Sequence, residues 1–417
     1  MRVVYLNPCG QMGGAELCLM DMLVSVRAAH PDWPLSLVLG EDGPLAEQAK
    51  AAGVRVIVAP FPRALARLGD SGKSALGALW RSLKAAASTV HYAVQMRRTM
   101  AGLQPGVIHS NGFKMHVIGA WAQPRNAPVI WHVHDYVSTR PLMKRLLQLH
   151  AARCAAVIAN SESVAADVRS VCGPEPETVR IYNAVDLKRY SPGGGNSQGG
   201  AVDLDALAGL ERPTEPAIRI GLVATLAHWK GHAVFLRALA QLPQDLPYRA
   251  YVVGGAIYQT ENSQRTLEEL RELAAQLGIA SKTFFTGYVA DSAGAIRALD
   301  IVVHASTQPE PFGRVIAEGM ACGRAVICSA AGGAAELIAD GQDALAHSPG
   351  DEAGLAARML ELILDPELRG RLGRAGRITA ERRFDTSRLA EELVAVYQRV
   401  SARFATQPTA RAAAGGT

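Results

Sequence analysis

Short runs of apolar, often β-branched residues recur along this chain, separated by stretches in which apolar positions return every three or four residues. In the first half the runs Arg2–Asn7, Leu35–Leu39, Val54–Val58, Val107–His109, Val129–His132 and Ala156–Ala159 predict strands. Segments such as Ala15–His30 and Lys114–Ala122 predict helices between them. In the second half the predicted strands are Ile218–Val223, Ala250–Val253, Thr283–Phe285, Ile301–His304 and Ala325–Cys328. A strand that is apolar at consecutive positions is buried on both faces, the signature of a parallel sheet covered by helices on either side. The pattern therefore predicts an α/β protein with two doubly wound, Rossmann-like domains. Ligands of such sheets bind beyond the carboxyl ends of the strands, so the loops after strands are where chemistry is expected.

The sharpest break in the pattern is Ser191-Pro192-Gly193-Gly194-Gly195-Asn196-Ser197-Gln198-Gly199-Gly200, a composition that resists regular structure. The expected organisation is a first domain over 1–190, a linker over 191–216 and a second domain over 217–385. A terminal helix over 386–405, placed to cross back to the first domain, and a disordered tail over 406–417 complete it. The 417 residues suffice for two such cores without disulfide staples.

Composition narrows the class. With 49% hydrophobic and 19% charged residues and a mean hydropathy of +0.07, the chain is neither largely disordered nor an ordinary multi-span membrane protein. No run approaches the ~18 consecutive apolar residues of a spanning helix. The amino end reads as a strand and lacks the apolar core and cleavage site of a signal peptide. Cys9, Cys18, Cys154, Cys172, Cys322 and Cys328 form no Cys-x-x-Cys pair, which fits buried thiols in a reducing, cytoplasmic setting. Residues 1–190 carry 21 Lys+Arg against 13 Asp+Glu and residues 191–417 carry 22 against 25, so +8 and −3 make up the net +5. A basic first half suits phosphates or an anionic surface.

Two Rossmann-like domains invite a dinucleotide or ATP, yet no Gly-x-Gly-x-x-Gly follows a strand and no Walker lysine loop is present. His132 and His134 share a strand face, but no third ligand accompanies them, so no metal site is expected. The strongest constellation is Gln308-Pro309-Glu310-Pro311-Phe312-Gly313-Arg314-Val315-Ile316-Ala317-Glu318, after the strand Ile301–His304. A helix starting near Gly313 leaves the N–H groups of Gly313, Arg314 and Val315 at the positive end of its dipole, a ready phosphate site. Glu310 and Glu318 flank that end and can hydrogen-bond hydroxyls. The plainer alternative is a helix with an exposed Arg314–Glu318 ion pair, worth ~0.3–0.5 kcal/mol.

Glu310 and Glu318, inside Pro-Glu-Pro-Phe-Gly-x-x-x-x-Glu, resemble the acidic motif of retaining GT-B glycosyltransferases, and more narrowly of family-4 (group 1) glycosyltransferases. Gly13-Gly14-Ala15-Glu16 resembles the amino-terminal glycine loop of that family, and His132-Val133-His134-Asp135 its His-Asp strand end. Asn160-Ser161-Glu162-Ser163, Tyr182-Asn183-Ala184-Val185-Asp186, Trp229-Lys230-Gly231-His232 and Ala331-Gly332-Gly333-Ala334-Ala335-Glu336 follow in the family's order.

The resemblance implies two Rossmann-like domains facing a cleft, the first binding an acceptor and the second a nucleotide diphosphate sugar. It implies retaining sugar transfer without a metal or other cofactor, in polysaccharide or glycolipid synthesis. His134, Glu310 and Lys230 would be catalytic. Gly13, Gly14, Thr225, Lys230, Glu310, Phe312, Gly313, Arg314, Val315 and Glu318 would line the donor site. Glu310 would hold sugar hydroxyls, Glu318 the ribose, and Lys230 the diphosphate. Thr225 stands where relatives usually carry an arginine. The acceptor would be a glycan, a glycolipid or a small molecule. Nucleic acid is not expected, since no binding module accompanies the charge.

Two alternatives remain open on sequence grounds: a nucleotide-sugar epimerase of the same fold, and a non-catalytic nucleotide-binding scaffold, the latter supported by Thr225 alone. Two readings also stand for residues 61–100. There Arg63, Arg67, Lys73, Arg81, Lys84, Arg97 and Arg98 are opposed only by Asp70 among many apolar residues. The stretch is either an amphipathic surface docking a cytoplasmic enzyme on an anionic membrane or a core-packed helix with a solvated basic face.

Overall fold

Strand β1, Val3–Asn7, is buried at every position, as its unbroken apolar run requires, and so are β2 (Leu35–Leu39), β4 (Val107–Asn111) and β5 (Val129–Val133). With β3 (Arg55–Val58), β6 (Cys154–Ala159) and β7 (Glu177–Arg180) they form an all-parallel sheet of order β3-β2-β1-β4-β5-β6-β7. A second parallel sheet has the order β10-β9-β8-β11-β12-β13. Its strands are β8 (Ile218–Val223), β9 (Tyr248–Val253), β10 (Thr283–Gly287), β11 (Ile301–His304), β12 (Ala325–Ser329) and β13 (Leu345–His347). These features come from a computed structural model, which describes residues 1–62, 78–194, 200–211, 215–255 and 264–406, with the backbone alone for 78–87.

The chain divides into two compact units. One comprises Met1–Tyr182 with Thr386–Thr417, the other Asn183–Asp385. In the first unit, Val4, Leu6, Ile108, Val129, Trp131 and Val157 pack with helix residues such as Met96, Ile118 and Val164 into one core. In the second, Ile220, Leu222, Val252, Ile301, Val303 and Ile327 do the same with Phe235, Leu239, Leu355 and Met359. The fold class expected from sequence is thus present in both halves.

Several boundaries differ from the sequence expectation. The expected linker over 191–216 includes a short helix, Leu204–Leu207, inside the second unit. The cause is Asp205, fully buried, which accepts hydrogen bonds from Arg219 (2.6 Å), Tyr251 (2.6 Å) and Arg249. A glycine-rich composition hid a charged anchor. Within the Gly-rich run itself, residues 195–199 lie outside the described residues, as does the tail beyond Thr406. The edge strands β7 and β13 were not anticipated, because Glu177 and Arg180 dilute one and the other is three residues long. The terminal helix is Ser387–Thr406, shifted by one residue from the expected 386–405, and it belongs to the first unit. Cys9 and Cys172 are only half-buried, against the expectation of buried thiols, and none of the six cysteines is in a disulfide.

Most of the basic stretch between 61 and 100 lies outside the described residues or is described by backbone alone. Where the helix Ala78–Leu103 has described side chains, Tyr92 and Met96 are core residues, and the Tyr92 hydroxyl donates to Ala59 O at 2.8 Å. They are unavailable to a membrane, whereas Val90 and Val94 are 62% and 46% exposed. Among the described residues no helix is long and apolar enough to cross a bilayer.

Strand order has a consequence for chemistry. Neighbouring strands whose connections leave in opposite directions open a crevice at their carboxyl ends. In the first sheet that point lies between β1 and β4, and in the second between β8 and β11.

Candidate functional site

In the second unit, the loops leaving β8 and β11 meet. The turn His228–Lys230 ends at Gly231, whose φ of +76° leads into the helix His232–Ala240. A Cβ at Gly231 would lie 1.7 Å from the Ala305 carbonyl oxygen, so only glycine lets this turn rest on the end of β11. Thr307 N donates to Trp229 O at 2.8 Å and fixes the two loops together. The result brings Lys230 to Glu310: Nζ lies 2.7 Å from Oε1.

Glu310 is held on both oxygens. Ser306 Oγ donates to Oε2 at 2.7 Å, and His304 Nε2 lies 3.5 Å from the same oxygen. Ser306 is fixed in turn by Ser329 Oγ, which donates to its carbonyl at 2.6 Å. The Glu310 backbone bridges to the loop after β12, with its N–H donating to Ala331 O at 3.2 Å and its carbonyl accepting from Ala334 N at 3.3 Å. Burial on its own would raise the carboxyl's pKa, but Lys230 and His304 outweigh it and hold Glu310 well below the usual carboxylate range. Its side chain retains 13% exposure, so the carboxylate is charged, fixed and reachable.

The helix expected after Gly313 starts at Arg314, and Gly313 caps it with φ +88°. Arg314 Nε and Glu318 Oε1 form the i,i+4 pair at 3.1 Å, but their side chains are only 14% and 10% exposed, so it is not the surface pair of the plainer alternative. Arg314 also donates to Ala184 O at 3.3 Å. Phe312 is 3% exposed and packs edge-on against Phe384, with centroids 6.0 Å apart. Its ring is a core element, and whatever it contributes to a ligand comes through its backbone. Val315 is half-buried on the first turn, and Thr225 is half-buried on the loop after β8.

In the first unit, Gly13 caps the helix Gly14–Ala29. Its N–H donates to Glu16 Oε2 at 3.2 Å, and Glu16 Oε1 accepts from Asn7 Nδ2 at 3.3 Å. Burial raises the Glu16 pKa, partly offset by these hydrogen bonds. Part of this helix end is thus already occupied by the chain's own carboxyl. A Cβ at Gly14 would meet nothing within 4 Å, leaving that side of the loop open to a ligand.

His134 stands just past β5. Its Nε2 lies 3.2 Å from Asn111 Oδ1, and its ring stacks on His132 with centroids 4.0 Å apart. The following turn is pinned by Asp167, whose Oδ2 accepts from Val137 N at 2.7 Å, and by the Asp135–Arg140 ion pair at 2.8 Å. Asp135 therefore shapes the loop that follows the imidazole. His304, Ser306, Asn111, His109 and Tyr397 were not singled out from sequence. The first two lie on and just after a predicted strand, where a polar residue signals a site only once its partner Glu310 is known.

Comparison with known proteins bears on both halves. Residues 44–189 match the family described as Glycosyltransferase Family 4, and residues 211–379 match Glycosyl transferases group 1. The chain is 31% identical over 263 residues to D-inositol 3-phosphate glycosyltransferase of Stackebrandtia nassauensis, covering 61% of this chain and 56% of that one. It is 30% identical over 194 residues to the lipopolysaccharide core biosynthesis glycosyltransferase LpsD of Rhizobium meliloti, covering 46% and 53%. The chain thus spans about half the length of the curated relatives it matches. Among solved structures, Anabaena Alr3699/HepE in complex with UDP superposes with a TM-score of 0.77 at 26% identity, over 96% of this chain and all of that one. The same protein with UDP-glucose gives 0.75 at 26% identity over the same shares.

Proposed function

We propose, from the premise that this chain belongs to the group 1, family 4 glycosyltransferases, that it moves a sugar from a nucleotide diphosphate sugar to an acceptor hydroxyl with retention at the anomeric carbon. The observation that carries the reading is the Glu310 carboxylate, charged and held by Lys230, Ser306 and His304, four residues before a helix start.

Sugar hydroxyls are hydrogen-bond donors, and a fixed carboxylate accepts from two of them without reorganising. The departing diphosphate needs positive charge, which the Lys230 ammonium and the N–H groups at Gly313–Val315 supply. Donor binding then exchanges partners: phosphate takes Lys230, and sugar hydroxyls take Glu310 in its place. Glu318, fixed by Arg314, receives the ribose. Gly13, Gly14 and His134 belong to the first unit, to which this reading gives the acceptor, with His134 as a catalytic residue. Uridine diphosphate sugars are the first donors to test, because HepE has been solved with UDP and UDP-glucose. The acceptor is a hydroxyl of a glycan, a glycolipid or a small molecule.

A thermal-shift screen against UDP-, GDP- and ADP-sugars identifies the donor. Glu310→Ala and Glu318→Ala should each cut transfer at least 100-fold, the size of a lost electrostatic contact to the transition state (~3 kcal/mol), with the fold intact by circular dichroism. Near-normal turnover in both variants overturns the site. An altered sugar on the released nucleotide would mark an epimerase, and binding without turnover a scaffold.

A further inference from the structure

One face of the first sheet carries a buried file of polar rings. Tyr5 and His109 are fully buried, His132 is 1% exposed, and the terminal helix covers them with Tyr397, also fully buried. The Tyr397 hydroxyl donates to Tyr5 Oη at 3.3 Å and lies 2.8 Å from His109 Nδ1. His109 Nε2 lies 3.1 Å from His132 Nδ1, and the His132 ring stacks under His134 at 28° between planes.

A hydroxyl has one proton. If Tyr397 gives its proton to Tyr5, it can only accept from His109, so His109 carries its proton on Nδ1. The His109 Nε2 is then a bare acceptor, and His132 must donate to it from its own Nδ1. Burial lowers the His109 pKa to about 3 and that of His132 well below its ordinary value, so both rings are neutral and each holds a single N–H. The file ends at His132 Nε2, which has no hydrogen-bond partner among the described residues. An unpaired buried lone pair is tolerated better than an unpaired buried N–H, and the order of protons leaves a lone pair there.

We propose that Tyr397 is a positioning residue for His134: through His109 it locks His132 in the Nδ1–H tautomer and fixes the ring on which His134 stacks. The kinetic part of this inference rests on the reading of His134 as an active-site residue, while the tautomer part stands on the hydrogen-bond geometry together with the burial that keeps both rings neutral. It gives the terminal helix a role in the chemistry besides covering the sheet.

Long-range proton–nitrogen NMR spectra of the full chain with ¹⁵N-histidine, assigned with His109→Gln and His132→Gln, test it. The wild type should show protonated Nδ1 and bare Nε2 at both residues. Tyr5→Phe removes the acceptor, turns the Tyr397 proton toward His109 and should move both rings to Nε2–H. Tyr397→Phe keeps the packing, should lose the Nδ1–H preference, and should lower kcat roughly five- to tenfold with the donor KM unchanged. Nε2–H at either ring in the wild type, or spectra unchanged in both variants, overturns the relay. A normal kcat in Tyr397→Phe with altered tautomers overturns the positioning role. His134→Ala separates the two readings: full activity there overturns the assignment of His134, whereas loss of activity with an unchanged Tyr397→Phe spectrum overturns the relay alone.

Discussion

Acid should loosen the first unit well before its carboxylates titrate. His109 is buried and neutral, with its pKa lowered to about 3, and burial also drives His116 and His132 well below the ordinary imidazole value. An unfolded chain offers the same rings to water, where they take protons near pH 6.5. Below that pH the unfolded form binds protons that the folded form refuses, so stability is whole above about 6.5 and drains as pH falls toward 3. At about pH 5, 1.5 units below the unfolded value, His109 alone contributes a loss of about 2 kcal/mol. His116 and His132 pull in the same direction. Hydrogen exchange followed by mass spectrometry, corrected for intrinsic rates, reads this locally in peptides spanning β4 and β5. Their protection should fall by at least about 2 kcal/mol between pH 7 and pH 5. The second unit should soften less, because His232, lowered to about 4, and His347 are its depressed imidazoles. Equal protection of β4 and β5 at the two pH values would refute the reasoning, since it would mean that these rings are already protonated in the fold or hydrated.

Three further outcomes follow from particular contacts. Gly231→Ala places a methyl 1.7 Å from the Ala305 carbonyl and should destabilise the second unit by about 2 kcal/mol, with loss of the donor-induced thermal shift. Asp205→Asn leaves Arg219 and Arg249 without their buried counter-charge and should lower urea stability of the second unit by about 3 kcal/mol; a change under 1 kcal/mol would show the anchor to be idle. If the stretch 61–100 docks on membranes, the full chain should sediment with anionic vesicles at low salt and release at high salt, because the attraction falls within a Debye length of ~8 Å at physiological ionic strength. Indifference to vesicle charge at low salt favours a soluble acceptor.

The architecture was legible because parallel sheets write themselves as unbroken apolar runs, and β1, β2, β8 and β11 lie where those runs lie. What stayed hidden was polar. β4 runs through Ser110 and Asn111, which a search for apolar residues cuts off at His109. The seam near 183 escaped notice because glycines a few residues later look like a linker, while a single buried Asp205 ties that segment into the second unit. In the site, Glu310, Glu318 and Lys230 stood out by type and spacing, yet spacing could not say that Lys230 would meet Glu310 across 80 residues. The i,i+4 spacing did foretell the Arg314–Glu318 pair, but not that it would be buried. His109 and Tyr397 are 288 residues apart, and no local pattern marks either as the other's partner.

That separation also sets an order of assembly. The first unit consists of Met1–Tyr182 and Thr386–Thr417, with the whole second unit, Asn183–Asp385, spliced between them. A ribosome makes these roughly 200 intervening residues at about 5–20 per second, so the opening segment waits about 10–40 s for its last helix. The inserted unit can finish folding first, although it begins later. Throughout that interval Tyr5 lacks the residue 392 positions downstream that will cover it, and a buried polar face stands open to solvent. The nascent amino-terminal segment is therefore the part of this protein most exposed to chaperones, proteases and mispairing. A chain cut short after Asp385 but before the terminal helix holds a complete second unit attached to an incomplete first.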